Sequence, residues 1–468
     1  MPTDQTGKPF QATAPTLRRQ WPPGERQPAE PRWINVGRMS VNLPRTPLYT
    51  DHYEYTMLEA SLHDGTADRP CVFEVFGRRL PTGRRYGVVA GIGRLADAIQ
   101  RFRFAEEDLR GLIERGVIKE STAEWLAGFR FSGDIEVYAE GELYFPGSPI
   151  VTVAGGFGEC VLLETLVLSI LNHDSAVASA AARMVTAARG RPILEMGSRR
   201  THETAAIASS RAAYLAGFSA TSNLEAGRRY GVPTAGTSAH AFTLLHSSEE
   251  DAFRAQIEAF GTDTTLLVDT YDITQGIRNA IAVAGPRLQS IRIDSGDLDV
   301  MATGARELLD ELGATDTKII VSGDLDEYSI AALAAAPVDM YGAGTAVVVG
   351  SGAPTAQLVY KLVEVEGRPV AKRSEHKGTT GGRKTAVRRH KPTGTAIEEV
   401  VVSQGEPEPR PGDKRLQVPL FSSGELVPQP TLEESRELLR QRLISIPWEG
   451  LKLSPGDPAL PVVMSRSS

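Results

Sequence analysis

Between about residue 190 and residue 350 the chain repeats one arrangement of apolar and polar positions. A short apolar run ends in a small or polar turn, and an amphipathic stretch at helical spacing follows. Pro192-Ile193-Leu194 meets Gly197-Ser198-Arg199-Arg200, and then a helix with Ala205, Ala206, Ala208 and Ala212 on its inner face, closed by Gly217. A second strand from Phe218 ends in Thr221-Ser222-Asn223, with Asn223 placed to cap the next helix. Gly231 closes that helix, and residues 232–235 lead as a third strand into Gly236-Thr237-Ser238-Ala239-His240. The unit recurs at 265–268 before Asp269-Thr270-Tyr271-Asp272 and at 288–293 before Asp294-Ser295-Gly296-Asp297. It recurs again at 318–321 before Ser322-Gly323-Asp324 and at 338–341 before Gly342-Ala343-Gly344-Thr345. Seven successive strands thus end in small, polar or charged groups. That repetition predicts an α/β fold with a closed or nearly closed parallel barrel and a single ligand-binding rim. An open doubly wound sheet is the alternative, and it would not need a polar end on every strand.

The flanking segments follow other patterns. Residues 1–45 are rich in Pro, Gln and Arg and carry no period, which predicts a disordered extension; Met39 is an alternative start. Thr50 or Asp51 caps a helix with Met57, Leu58 and Leu62 on its apolar face. Residues 71–76 alternate as a strand, and Arg78, Arg79, Arg84 and Arg85 follow in a loop before a strand at 87–90. That loop reads either as a solvated hairpin or as an oxyanion clamp built on planar guanidinium forks. Helices are predicted at 92–103, 105–115 and 159–171, strands at 134–139 and 149–154. Further on come a strand at 361–365, a Gly- and Lys-rich stretch at 377–384, a linker at 407–413 and a helix at 431–442. The 377–384 stretch lacks P-loop spacing and reads as a mobile turn or a phosphate cradle. The expected domains are a cap at 46–160, a barrel at 161–355, and a C-terminal portion at 356–468 that returns to the cap.

Composition narrows the classes. Lys and Arg number 51 against 58 Asp and Glu, a net charge of −7, which argues against general binding to nucleic acid or an anionic membrane. With Cys71 and Cys160 alone, neither a disulfide framework nor a thiolate metal site is expected, and a reducing cytoplasm fits. No apolar run approaches the roughly eighteen residues of a membrane span.

The turns Gly197-Ser198-Arg199-Arg200, Thr221-Ser222-Asn223 and Gly236-Thr237-Ser238-Ala239-His240-Ala241-Phe242 resemble three signature turns of the nicotinate phosphoribosyltransferases, and the resemblance runs from about Tyr49 to the C-terminus. It implies an incomplete, TIM-like (β/α) barrel with a cap domain. It also implies ATP-coupled synthesis of nicotinate mononucleotide and diphosphate from nicotinate and 5-phosphoribosyl 1-diphosphate. That reaction is classed with the C–N ligases and begins NAD salvage from nicotinic acid. ATP and Mg²⁺ are the implied cofactors, and a homodimer with shared active sites is the implied assembly. His240 matches the family's phosphorylated histidine. Tyr53 matches a Tyr that stacks on the pyridine, often in the partner subunit's pocket. Arg199, Arg292 and Thr237 match groups that contact nicotinate or diphosphate. Met196 departs from an aromatic found in many relatives, and a thioether still packs against a ring. Ser222 stands where the similar nicotinamide-using enzyme has an aspartate, so the acid is favoured over the amide.

The chemistry agrees with those positions. Breaking a ribosyl–diphosphate bond develops positive charge on the sugar and negative charge on the leaving group. Asp294, with Ser295 and Gly296 in its turn, and Asp324 are candidates for the ribose hydroxyls, directly or through Mg²⁺, which takes oxygen ligands. Gly323, Gly342, Gly344 and Thr345 are candidates to offer backbone N–H groups to the 5′-phosphate. Nicotinamide and quinolinate remain alternative pyridines. A Schiff-base lyase is disfavoured because no barrel strand end carries a lysine.

Overall fold

The computed structural model describes residues 43–372 and 380–466. The expected extension at 1–45 therefore lies almost wholly outside the described residues, as do Met39 and positions 377–379 of the Gly- and Lys-rich stretch.

Six parallel strands form the central sheet, in the order Ala220–Thr221, Ile193–Glu195, Met340–Ala343, Lys318–Gly323, Ser290–Ile293, Thr265–Leu267. Their residues alternate. Ile291, Ile293, Ile319 and Val321 are fully buried in the apolar cluster beneath the surrounding helices, while the Arg292 and Ser322 side chains bond to each other across the inner face. Period-two alternation in a parallel sheet gives just this division. The sheet curls without closing, so the fold is an incomplete barrel.

The edge beside Ala220–Thr221 is thin. The expected strand at 232–235 is reduced to one parallel bridge, Thr221 to Thr234. Pro233 has no N–H to give to a ladder, although its carbonyl accepts from Thr221 N at 2.9 Å. Between this segment and Thr265–Leu267 lies a cavity of about 950 Å³, lined by Thr237, Phe242, Phe260, Thr265, Ile320 and Met340 among others.

A second sheet of seven antiparallel strands forms the cap. Pro70–Gly77 lies inside it, paired with Val151–Gly156 on one side and Leu358–Val365 on the other. Gln417–Ser422 adds to Asp134–Tyr138, so C-terminal strands do complete the cap sheet. The second half of the chain also makes a separate four-stranded sheet that the pattern of residues did not predict.

The helix Glu164–Ala188 joins the two halves. Leu162 to Leu171 lie in the apolar core of the cap, whereas Val177 to Ala188 lie in that of the barrel. It is longer than the expected 159–171 helix. Contrary to expectation, Phe157–Ala188 is long and apolar enough, by length and composition, to cross a membrane. Its most apolar window is 67% buried inside the protein, so that apolarity serves the core.

Two further expectations change. Lys384 is no part of a mobile turn or phosphate cradle: it opens the strand Lys384–His390, is buried, and donates to Glu74 at 2.6 Å. In the basic loop, Arg84 is buried against Glu327 at 3.0 Å and the Gly350 carbonyl. Arg85 donates to the Ser454 and Pro455 carbonyls and Arg79 to Gln357, so most of the loop's charge is spent on holding the chain together.

Glu54, at the start of the helix His52–His63, is fully buried and accepts from Thr165 N at 2.9 Å, with Oε2 left unpartnered. Burial pushes its carboxyl up to about 7; the Thr165 bonds pull it down, and the charges of Glu164 and Asp51 add to the rise. The fold therefore favours the protonated form. That contribution is complete below the unfolded pKa and is lost as pH rises through about 7, at most about 3 kcal/mol. Urea melts of the wild type and Glu54→Gln at pH 5 and pH 8 are expected to show the variant gaining relative stability only at the higher pH. An equal difference at both would exclude Glu54 as the titrating group.

Candidate active site

The carboxyl ends of the six strands bring most of the expected residues to one rim, and hydrogen bonds weld its centre. Arg292 donates from Nε to Ser322 Oγ at 2.7 Å, from Nη1 to Thr237 Oγ1 at 2.8 Å, and from Nη2 to Asp294 Oδ1 at 2.9 Å. Ser322 Oγ also donates to Asp294 Oδ1. Burial raises the Asp294 carboxyl, but the bonds from Ser322 and Arg292 and the nearby charges of Arg292 and His240 outweigh it and hold the group below its usual range. Asp294 is therefore ionised at neutral pH.

His240 opens the helix His240–Leu245, with Nδ1 3.1 Å from Thr270 Oγ1. Its Nε2 lies 3.8 Å from Asp269 Oδ1, a fully buried oxygen without a hydrogen-bond partner. The other oxygen of Asp269 accepts from Asp294 N at 2.9 Å and Ser295 Oγ at 2.7 Å. Asp269 therefore links the histidine to the aspartate turn. Its position at a strand end, shared with Asp294, was the one signal in the sequence, and no role followed from it there; Thr270 and Ser322 were likewise unassigned.

The neighbouring turns continue the rim in sheet order. Gly323 has φ 140°, a region that favours glycine, and it precedes the exposed Asp324. Gly296 also has a positive φ, 85°, in the Asp294 turn. Gly344 stands before the short helix Thr345–Val348. Arg199 and Ser222 are exposed at the next two strand ends, and Asn223 ties them by donating to Ser198 Oγ at 3.0 Å while capping Leu224–Tyr230 through Ala226 N.

Gly342 differs from expectation. It is buried within Met340–Ala343, in register with Ser322 on one side and Leu194 on the other. A Cβ there would come within 2.9 Å of Met196 Sδ and Ser322 Cβ, so packing inside the sheet, rather than an N–H offered to phosphate, accounts for this glycine. Tyr53 is not gathered with the rim either. It lies on His52–His63, 44% exposed, and burial followed by the charges of Glu164 and Glu54 pushes its phenol up to about 12.

Among the described residues no three His, Cys, Asp or Glu side chains form a metal cluster. One Asp294 oxygen is already occupied by Arg292 and Ser322, leaving the second; Asp324 is exposed. Two such oxygens suit a hard divalent cation that takes its remaining ligands from phosphates and water.

Residues 48–172 match the family model described as the nicotinate phosphoribosyltransferase N-terminal domain, and residues 177–351 that of the quinolinate phosphoribosyl transferase C-terminal domain. The chain is 60% identical over 426 residues to nicotinate phosphoribosyltransferase pncB1 of Mycobacterium tuberculosis, covering 88% of this chain and 94% of that one. It is 40% identical over 356 residues to the nicotinate phosphoribosyltransferase of Bacillus subtilis, covering 73% and 72%. The crystal structure of human nicotinic acid phosphoribosyltransferase superimposes with a TM-score of 0.79 at 27% identity, over 89% of this chain and 97% of that one.

Proposed function

The chain belongs to the nicotinate phosphoribosyltransferase family, and from that premise we propose that it joins nicotinate to the phosphoribosyl group of 5-phosphoribosyl 1-diphosphate, with ATP hydrolysis coupled to the transfer. The observation that carries this reading is the linked set of His240, Asp269, Asp294 and Arg292 at one end of the barrel.

Asp294, ionised and fixed by Arg292, would face the positive charge that develops on the ribose, and Asp324, after the neighbouring strand, would share its hydroxyls. Arg292 keeps two of its five N–H groups free of the bonds to Thr237, Ser322 and Asp294. With the exposed Arg199 it supplies cations for the nicotinate carboxylate and the diphosphate. Gly323, Gly344 and Thr345 supply the cradle for the 5′-phosphate. Magnesium would be held through Asp294 or Asp324 together with phosphate oxygens, and would neutralise charge on the departing diphosphate.

His240 accepts the γ-phosphoryl group of ATP on a ring nitrogen, with ADP leaving; hydrolysis of that phosphohistidine draws the transfer forward. Thr270 Oγ1, 3.1 Å from Nδ1, and the Asp269 carboxylate, 3.8 Å from Nε2, hold the imidazole in place for that transfer. A homodimer fits the exposed apolar groups Leu224, Leu244, Leu245, Phe260 and Tyr271, and the exposed Tyr53, which a second copy would receive in its pocket. The free, buried thiols of Cys71 and Cys160 suit a reducing cytoplasm.

Quinolinate is the second reading, favoured by the match of the barrel to that enzyme's C-terminal domain. Ser222 stands exposed at its strand end without a carboxylate of its own, which favours an acid over an amide. Product formation from nicotinate, nicotinamide and quinolinate at equal concentrations tests this, with nicotinate preferred over nicotinamide by about tenfold or more. Equal use of nicotinamide would undo the argument from Ser222, and preference for quinolinate would replace the proposed substrate.

A further inference from the structure

Glu195 is buried at the end of Ile193–Glu195, and its carboxyl group reaches the residues that begin two different turns. Oε1 accepts from Gly197 N in the Arg199 turn. Oε2 accepts from Thr221 Oγ1, at the head of the Ser222 turn, and from Ser210 Oγ at 2.8 Å. The backbone carries the same link: Ser222 N donates to Glu195 O at 2.8 Å, and Asn223 N to Thr221 Oγ1 at 3.0 Å. Met196 N donates to Ala343 O at 2.8 Å, next to Gly344. A Cβ on Gly197 would stand 2.8 Å from Glu195 Oε1 and 2.2 Å from Val348 Cγ1, so the turn is pressed onto this carboxyl group.

The strand itself is already held on both sides by ladders to Thr221 and Ala343. What the ladders leave over is chiefly the Gly197 amide in a tight buried turn; the Thr221 and Ser210 hydroxyls also have each other at 3.0 Å and Ala206 O at 2.9 Å. A buried donor without an acceptor would let those segments move away to find one.

We infer that Glu195 is a positioning residue for substrate recognition: it fixes the Arg199 and Ser222 turns relative to each other and so sets the grip on the acid ring. This rests on the proposed use of nicotinate. In that reading Ser222 serves the acid alone and Arg199 the acid and the diphosphate; Asp294, Gly323 and Asp324 hold the sugar from strands Glu195 does not touch, and only the Gly344 turn of the phosphate cradle borders it.

The test compares wild type, Glu195→Leu, Glu195→Gln and Thr221→Val by steady-state kinetics, thermal melting and backbone hydrogen exchange. Glu195→Leu is expected to raise the KM for nicotinate about tenfold or more and the KM for phosphoribosyl diphosphate by a clearly smaller factor, since only Arg199 and the border of the phosphate cradle are shared. Glu195→Gln, whose amide oxygen still accepts from Gly197 N and whose amino group can donate to both hydroxyls, should restore most of that loss. Exchange at residues 196–201 and 222–224 should quicken in Glu195→Leu, with Ser290–Ile293 unchanged. If Glu195→Leu does not fold, Thr221→Val, which removes one donor, should show the same split in smaller measure. Parallel rises in both KM values, exchange that quickens across the whole barrel, or no change in either readout would overturn the inference. Failure of the wild type to turn over nicotinate would instead count against the proposed function, and the exchange measurement would still report on the two turns.

Discussion

Replacing His240 with Asn should remove the whole ATP-dependent increment of nicotinate mononucleotide synthesis and leave a slow ATP-independent reaction. Asparagine keeps a polar group near Thr270 but has no nucleophilic ring nitrogen, so no phosphoryl group can be carried. In the proposed reaction the transfer itself would rest on Asp294, Arg292 and the glycine turns, which the substitution leaves in place. Incubation with ATP labelled at the γ-phosphate should place an acid-labile label on wild-type His240, and in the variant that label should fall to background. ATP stimulation that survived in His240→Asn would show that the phosphoryl acceptor lies elsewhere.

Asp294→Asn is expected to cost kcat about 10²- to 10³-fold, the scale of losing one preorganised electrostatic group at a developing charge, or about 3–4 kcal/mol. The amide oxygen can still accept from Arg292 and Ser322, so the melting temperature should move little and the KM for nicotinate should stay near wild type. The lowered Asp294 pKa adds a second reading of the same group. A depressed carboxyl keeps its charge as pH falls, so no loss of kcat traceable to Asp294 should occur until pH is below the ordinary value of about 4. A fall in stability as large as the fall in rate would mean that Asp294 serves the fold rather than the reaction.

The parts of this molecule legible in the sequence are those set by neighbours along the chain. Alternation at Ile291, Arg292, Ile293 and Asp294 marks a strand and its two faces, and the polar pair after it marks the rim. Asn223 caps its helix through its own side chain, as expected from local chemistry. What was not legible depends on partners far away. Arg84, Arg85 and Lys384 look like anion ligands until Glu327, Ser454 and Glu74 are folded against them. Gly342 looks like a rim glycine because the crowding that requires it comes from Met196 and Ser322 on other strands. The segment at 232–235 has strand composition, yet Pro233 limits it to a single bridge. Glu195 and Asp269 are ordinary acids in the sequence, and only the fold shows which donors they serve.

The helix Glu164–Ala188 has its own consequence for how the chain holds together. One end is packed in the cap and the other in the barrel, so neither core is complete without it. Melting either half strips a face of that shared rod and exposes apolar surface in the other. Cap and barrel should therefore be lost in one cooperative step, and a cut between residues 172 and 177, where the two matched families meet, would sever a continuous helix and leave neither fragment able to fold alone.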